Sequence, residues 1–116
     1  MTEKLGDAKA LSDVLAALAL VIDDRAGGDP GESYTAKLLS KGPKKTAQKI
    51  VEEASELAIA LAAEGDDDVA SEAADLLYHL LVGLRARGVS LEAVALILAN
   101  RQGVSGLVEK AARSGD

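Results

Sequence analysis

The chain is 116 residues long and carries 13 basic and 19 acidic residues, for a net charge of −6. This length suits a single domain, and the acidic balance argues against nucleic-acid binding, which needs a basic surface. Cysteine, tryptophan and phenylalanine are absent, which excludes disulfides and thiolate chemistry and leaves an aliphatic core.

Two features of the chain bear on its location. Glu3, Asp7 and Asp13 interrupt the region where a signal peptide needs an apolar run. No stretch reaches the ~18 apolar residues of a membrane span. We therefore expect a cytoplasmic protein that binds neither membranes nor nucleic acid.

The first half of the sequence predicts three helices. Leucine and valine recur at helical spacing over residues 8–24, which predicts an amphipathic helix. Glycine and proline then predict a loop up to Glu32. Ser33 suits the N-cap of a short helix that reaches residue 41, and Pro43 suits the first turn of a long helix over residues 43–64.

The second half predicts two further helices and a tail. Aspartates after Gly65 favour the start of a helix over residues 67–87, because acidic groups stabilise a helix N-terminus. Ser90 suits the N-cap of a fifth helix over residues 91–100. The tail over residues 101–116 is expected to be mobile or docked on a partner subunit.

The fold class predicted from these elements is all-α. We expect an antiparallel bundle of about five helices around the long pair, forming one domain over residues 1–116 with its core at 8–100. A chain this small buries little apolar surface alone, so we expect homodimerisation to complete the core.

Two matched pairs of acids accompany the long helices. The apolar stripe of the first long helix is Ala47, Ile50, Val51, Ala54, Leu57, Ala58 and Leu61, and that of the second is Val69, Ala73, Leu76, Leu77, Leu80 and Leu84. Glu53 and Glu56 flank the first stripe, and Glu72 and Asp75 flank the second, each pair at i and i+3. If the helices pack antiparallel through these stripes, the four carboxylates converge at one end of the groove.

Four converging carboxylates repel one another unless a cation lies between them. Oxygen ligands of this kind suit a hard ion, Mg²⁺ or alternatively Mn²⁺, and Mg²⁺ commonly bridges to phosphate. The alternative is that these acids are solvated surface charges. A di-iron site is disfavoured because it needs Glu-x-x-His on two helices, and His79 is the only histidine.

A cluster of lysines precedes the first acid pair. Its members are Lys37, Lys41, Lys44, Lys45 and Lys49. In an acidic protein this local positive charge suits a polyphosphate, although a solvated helix face with Lys–Glu pairs explains it equally well. Arg85, Arg87 and Arg101 are further candidates for phosphate or subunit contacts.

The aromatic residues offer few sites for a nucleobase. Tyr34, near the lysines, is the better candidate for stacking, since the helical wheel points Tyr78 away from the acids. His79 could assist the metal site, contact substrate or be an ordinary half-buried histidine. Because no side chain is an obvious activated nucleophile, metal-activated water is the simplest attacking group.

Several segments together resemble a known family. Glu52-Glu53-Ala54-Ser55-Glu56 with Glu72-Ala73-Ala74-Asp75 resembles the EExxE…ExxD signature of the all-α nucleotide pyrophosphohydrolases of the MazG-like superfamily. More narrowly, SYTAKLL from Ser33, Gly42, AQK from Ala47 and AADLLYH from Ala73 resemble the phosphoribosyl-ATP pyrophosphatases of histidine biosynthesis. The resemblance covers roughly residues 8–100.

This resemblance implies a homodimeric enzyme that hydrolyses phosphoribosyl-ATP to phosphoribosyl-AMP and pyrophosphate with Mg²⁺. It implies metal binding by Glu53, Glu56, Glu72 and Asp75, with Glu52 as a secondary acid that orients water or a ligand. It also implies phosphate contacts from Lys37, Lys41 and Lys49, to which the local charge adds Lys45. Some relatives carry a fused cyclohydrolase with metal-binding cysteines, so we expect this cysteine-free chain to be the stand-alone form.

Two other functions stay open on the sequence alone. One is a housekeeping pyrophosphohydrolase of nucleoside triphosphates from the same superfamily, and the other is a helical dimerisation module without enzymatic activity. In the enzymatic interpretation, Glu53 or Glu56 is expected to accept the proton of the attacking water.

Overall fold

The computed structural model describes residues 8–102, which form five helices and no strand. The helices are α1 (Ala8–Arg25), α2 (Tyr34–Lys41), α3 (Pro43–Ala63), α4 (Asp66–Arg87) and α5 (Leu91–Arg101). The all-α prediction is confirmed, and each predicted helix end lies within one residue of the observed one. Most of the predicted tail, residues 103–116, lies outside the described part of the chain. None of the five helices is long and apolar enough to cross a membrane.

The helix ends follow the capping residues in the sequence. The Ser33 hydroxyl accepts a hydrogen bond from the Ala36 amide, and the Ser90 hydroxyl accepts one from the Ala93 amide. Gly42 separates α2 from α3 with φ of 85°, in the region that favours glycine. The chain turns sharply at Gly42, so that α2 and α3 lie against one another.

The buried core lies where α1, α2 and α4 meet. Its buried members are Ile22, Leu38, Leu81 and Val82, and half-buried Leu15, Leu18, Leu39, Tyr78, Leu84 and Leu91 pack around them. Helix α5 contains no buried residue, and Leu96 on it is 63% exposed. A groove of about 600 Å³ separates α5 from α1 and α4. The core is small, as expected for a chain of this length.

Helices α3 and α4 form the most extensive helix pair. Thr46, Glu53 and Ala60 are the buried residues of α3 and recur every seven positions, which is the spacing of a straight contact seam. Gly83 of α4 lies opposite the first of them. A Cβ atom at Gly83 would lie 3.2 Å from Ile50 Cδ1 and 3.4 Å from Thr46 Cγ2, so glycine permits this close approach.

The predicted packing of α3 through its apolar stripe holds only for Ile50 and Leu57, which are half-buried, and is wrong for the rest of the stripe. Val51 and Leu61 are 67% and 66% exposed, and Ala47, Ala54 and Ala58 are exposed as well. Helix α3 is instead rotated so that the Thr46–Glu53–Ala60 line faces α4. Only one side of α3 is covered in the single chain, and the most apolar side is left open to solvent.

Two buried threonines provide a test of this packing. Among residues 8–102 the Thr46 hydroxyl is buried without a hydrogen-bond partner, whereas the Thr35 hydroxyl bonds to the Tyr78 hydroxyl. Thr46→Val should raise the free energy of unfolding by about 1 kcal/mol, because valine keeps the shape and removes an unsatisfied polar group. Thr35→Val, the matched control, should lower it by about 1 kcal/mol. Urea denaturation followed by circular dichroism measures both, and destabilisation by Thr46→Val would contradict the described packing.

Candidate active site

Three carboxylates meet in the seam between α3 and α4. One carboxylate oxygen each from Glu53, Glu56 and Glu72 lies within 4.8 Å of the other two. Glu53 is 8% exposed, Glu72 is half-buried and Glu56 is exposed. The rotation of α3 places Glu53 in the contact seam, not on its flank, and the three acids lie near the middle of the pair, not at one end.

The local environment disfavours the charged form of these acids. Burial raises the pKa of Glu53, and the adjacent Glu56 carboxyl raises it further, although His79 acts in the opposite direction. Burial also raises the pKa of Glu72, together with the negative charges of Glu56, Asp75 and Glu53. The site thus holds negative charge that the described residues do not fully balance.

The arrangement suits a hard divalent cation. Among the described residues, Glu72 Oε2 is buried and has no hydrogen-bond partner. A buried carboxylate oxygen is costly unless it is paired, and a cation among the three acids would pair it. The available donors are all carboxylate oxygens, which favours Mg²⁺ or Mn²⁺ over metals that prefer thiolate ligands.

Asp75, the fourth predicted ligand, lies beside the three-carboxylate cluster and is exposed. Its negative charge contributes to the raised pKa of both Glu53 and Glu72. Its backbone carbonyl accepts a hydrogen bond from His79 Nδ1 at 2.9 Å. Asp75 is therefore near enough to act on the cluster electrostatically, while its carboxylate lies outside the group of three.

Lys49 is the predicted phosphate-binding lysine that the structure places against the acids. Its ammonium lies 3.2 Å from Glu52 Oε1 and 4.0 Å from Glu53 Oε1. The hydrogen bond to Glu52 raises the pKa of Lys49, so this side chain stays cationic. Glu52 is thereby paired with Lys49, and its carboxylate is not part of the three-carboxylate cluster.

No ion pair joins Lys37, Lys41 or Lys45 to the three carboxylates in the described part of the chain. Lys37 and Lys41 are exposed on α2, and Lys45 is half-buried on α3. Arg85 donates to Asp23 Oδ1 at 2.6 Å and so links α4 to α1. This ion pair explains Arg85 as a structural contact between helices, while Arg87 is exposed.

That Tyr78 points away from the acids stays a prediction, and the structure shows which rings it contacts. Tyr78 stacks on Tyr34 with ring centroids 6.2 Å apart, and it contacts His79 edge to face at 5.0 Å. The Tyr34 hydroxyl lies 3.1 Å from His79 Nε2, and His79 Nδ1 lies 4.0 Å from Glu53 Oε1. Sequence reasoning missed the contact of Thr35, whose hydroxyl bonds to Tyr78, although the residue lies within the SYTAKLL segment.

Comparison with known proteins gives consistent matches over most of the chain. The profile of the family described as phosphoribosyl-ATP pyrophosphohydrolase matches residues 15–102. A phosphoribosyl-ATP pyrophosphatase of Caulobacter sp. (strain K31) is 58% identical over 103 residues, which cover 89% of this chain and 95% of that protein. One from Ruegeria sp. (strain TM1040) is 55% identical over 96 residues, covering 83% and 91%.

A fused relative shows a similar match over part of its length. The histidine biosynthesis bifunctional protein HisIE of Wolinella succinogenes is 46% identical over 113 residues, which cover 97% of this chain and 49% of that protein. The region shared with these relatives contains the three-carboxylate cluster, Asp75 and the Tyr34–Tyr78–His79 ring contacts.

The carboxylate cluster predicts how pH and Mg²⁺ affect stability. Because the pKa values of Glu53 and Glu72 are higher in the folded chain, the metal-free folded state binds more protons than the unfolded state. Their contribution to stability is therefore present below the unfolded pKa and is lost as pH rises through the folded pKa. A divalent cation held by these acids would compete with the protons, so the increase in Tm on adding Mg²⁺ should grow from about pH 5 to about pH 8. Differential scanning calorimetry measures this.

Glu72→Gln provides the matched test of the same cluster. Removing one negative charge should raise the metal-free Tm at neutral pH by a few degrees and should reduce the Mg²⁺-induced increase. Asp13→Asn removes the same charge from an exposed position on α1 and should change neither value. An equal response to Mg²⁺ in Glu72→Gln and in the wild type would argue against the cluster as a metal site.

Proposed function

This chain belongs to the phosphoribosyl-ATP pyrophosphohydrolase family and is a hydrolase of histidine biosynthesis, and we propose that its seam carboxylates bind the Mg²⁺ on which catalysis depends. The reaction converts phosphoribosyl-ATP to phosphoribosyl-AMP and pyrophosphate. The observation that carries the metal proposal is the group of three carboxylates with a buried, unpaired oxygen on Glu72.

The proposed ligands are Glu53, Glu56, Glu72 and Asp75, with Mn²⁺ as a possible substitute for Mg²⁺. When bound, the ion supplies positive charge where the anionic phosphates of the substrate and the leaving pyrophosphate must lie. Glu53, Glu56 and Glu72 are already within reach of one another. The charge of Asp75 acts on Glu53 and Glu72, which supports its place as the fourth ligand. Glu52, bonded to Lys49, is a secondary acid.

Glu53 and Glu56 are also the proposed acceptors of the proton from the attacking water. Carboxylates commonly act as general bases in catalysis. Glu53 and Glu56 are the two acids that α3 contributes to the three-carboxylate cluster. Glu56 is exposed and so is accessible to solvent water.

Lys37, Lys41, Lys45 and Lys49 are the proposed phosphate contacts, with Tyr34 beside them. Lys49 supports this proposal directly, because its ammonium is 4.0 Å from Glu53 and therefore at the border of the metal site. A cation in this position attracts the substrate phosphates toward the carboxylates that hold the metal. The charge of Lys49 also offsets part of the repulsion among the acids.

We further propose that the chain is one domain over residues 1–116 that forms a homodimer in the cytoplasm. The exposed apolar side of α3, which includes Val51, Ala54, Ala58 and Leu61, supports dimerisation. Leaving such a stripe in water is unfavourable, and a second copy of the chain would cover it.

Two ligand variants test the metal proposal. Glu56→Gln and Asp75→Asn should each lower kcat for phosphoribosyl-ATP by about a hundredfold or more, because an amide cannot supply the charge that balances the cation. Helical content should be preserved. Lys44→Ala removes an exposed charge from the same region and should change kcat/KM by less than about threefold. Pyrophosphate release with and without Mg²⁺ measures these effects.

The same assay separates the alternatives. Faster release from a nucleoside triphosphate than from phosphoribosyl-ATP would favour a housekeeping pyrophosphohydrolase. No release from any substrate with Mg²⁺ or Mn²⁺ would favour a dimerisation module, and full activity of either ligand variant would remove its residue from the metal site.

A single charge on the open side of α3 tests dimerisation. Val51 is 67% exposed in the single chain, so Val51→Lys should leave the monomer folded but should weaken a dimer that covers this position. Sedimentation equilibrium is expected to show a dimer for the wild type and at least a tenfold weaker association for the variant. Ala74→Lys, at an exposed position of α4 outside the stripe, is the control and should remain dimeric. A monomeric wild type would contradict the proposal.

A further inference from the structure

The aromatic rings of the chain converge on one place beside the carboxylates. The sequence contains two tyrosines, one histidine and neither phenylalanine nor tryptophan. Tyr34 comes from α2, and Tyr78 and His79 come from α4. The two phenol rings stack at 6.2 Å with 22° between their planes, and His79 meets Tyr34 edge-on at 5.9 Å. Residues more than forty positions apart thus form one ring cluster.

Hydrogen bonds fix the orientation of this cluster. His79 Nδ1 lies 2.9 Å from the backbone carbonyl oxygen of Asp75, which can only accept. In the neutral imidazole, Nδ1 therefore carries the proton and Nε2 is left as the acceptor. The Tyr34 hydroxyl, 3.1 Å from Nε2, then donates to it. Both imidazole nitrogens are occupied by these contacts.

Tyr34 nevertheless keeps much of its surface open. It is 51% exposed, whereas its partner His79 is 6% exposed. One side of the phenol ring is supported by Tyr78, and its hydroxyl is held by His79. An aromatic ring that is held in place and partly open to solvent offers a surface on which a nucleobase can stack without further ordering.

The position of the ring relates it to the rest of the site. His79 lies between Tyr34 and the carboxylates, with Nδ1 4.0 Å from Glu53 Oε1. The nearby Lys49 is 26% exposed and interacts with both Glu52 and Glu53. A nucleotide with its phosphates at Lys49 and the metal carboxylates would place its base within reach of Tyr34.

We propose that Tyr34 is the stacking surface for the adenine base of the substrate and that His79 is a positioning residue that holds this ring, not a metal ligand. This inference rests on the proposed function, since it assumes that a nucleotide occupies the site. The Tyr34 hydroxyl contributes by anchoring the ring to His79. The open ring surface contributes the contact with the base.

Two small ligands isolate the contribution of the base. AMP and ribose 5-phosphate share a ribose and a 5′-phosphate, and only AMP carries adenine. The wild-type protein with Mg²⁺ should bind AMP more tightly than ribose 5-phosphate. Tyr34→Leu should weaken AMP binding by about tenfold and should leave ribose 5-phosphate binding within about twofold. Isothermal titration calorimetry measures both affinities.

The matched variant Tyr34→Phe separates the ring from its hydroxyl. It keeps the stacking surface and loses only the hydrogen bond to His79, so AMP affinity should fall less than in Tyr34→Leu. His79→Leu removes the anchor of the ring and should weaken AMP binding more than ribose 5-phosphate binding. A purely structural role for His79 would affect the two ligands equally.

The single histidine allows a direct spectroscopic test in the untagged protein. Nitrogen NMR should show His79 protonated at Nδ1, and Tyr34→Phe should shift the Nε2 resonance while Nδ1 stays protonated. Adding Mg²⁺ should leave both nitrogens without a metal bond. Protonation at Nε2, or metal coordination by His79, would overturn its assigned role.

The outcomes distinguish this inference from the function on which it rests. If Tyr34→Leu loses equal affinity for both ligands, or keeps its affinity for AMP, the stacking role is overturned even if the wild type hydrolyses phosphoribosyl-ATP. Conversely, the wild type could bind AMP in the expected way, with Tyr34→Leu losing affinity for AMP and not for ribose 5-phosphate, and yet fail to hydrolyse phosphoribosyl-ATP. That result would overturn the proposed function alone.

Discussion

Repulsion among Glu53, Glu56 and Glu72 is the constraint on which the arrangement of this protein depends. The three carboxylates lie within 4.8 Å of one another in the seam between the two longest helices. Two helices that carry such charges separate unless other contacts hold them together. Close packing of Gly83 against Ile50 and Thr46 provides such a contact on one side of the acids. Buried Ala60 lies on the other side, so apolar packing on either side keeps the acids together.

The negative charge of this seam is only partly neutralised by the protein itself. Lys49 offsets part of the negative charge from one side, through Glu52 and Glu53. The oxygen of Glu72 that lacks a hydrogen bond among the described residues stays available to an external cation. A site that neutralised all its acids internally would have little affinity for a metal, because the metal would have to displace those partners. The partly neutralised seam therefore still favours a cation.

Much of this arrangement could be predicted from the sequence, and the rest depended on tertiary contacts. The helix ends follow local chemistry, since Ser33, Gly42 and Ser90 cap through contacts with residues within a few positions. The i and i+3 spacing of the acids likewise places each pair on one side of its helix. The rotation of α3 does not, because Glu53 faces α4 while the more apolar Val51 remains exposed. Thr35 and Tyr78 meet only because α2 packs on α4, and no local pattern records that contact.

The same rotation connects the metal proposal to the dimer proposal. Helix α3 presents Glu53 to α4 on one side and Val51 and Leu61 to solvent on another. If it had packed on α4 through its apolar stripe, Glu53 would have been more accessible to water and its pKa less affected by burial. A partner subunit on the open side would hold α3 from both sides and so restrict its movement. The orientation of this one helix thus accounts both for the apolar surface that favours dimerisation and for the burial of Glu53.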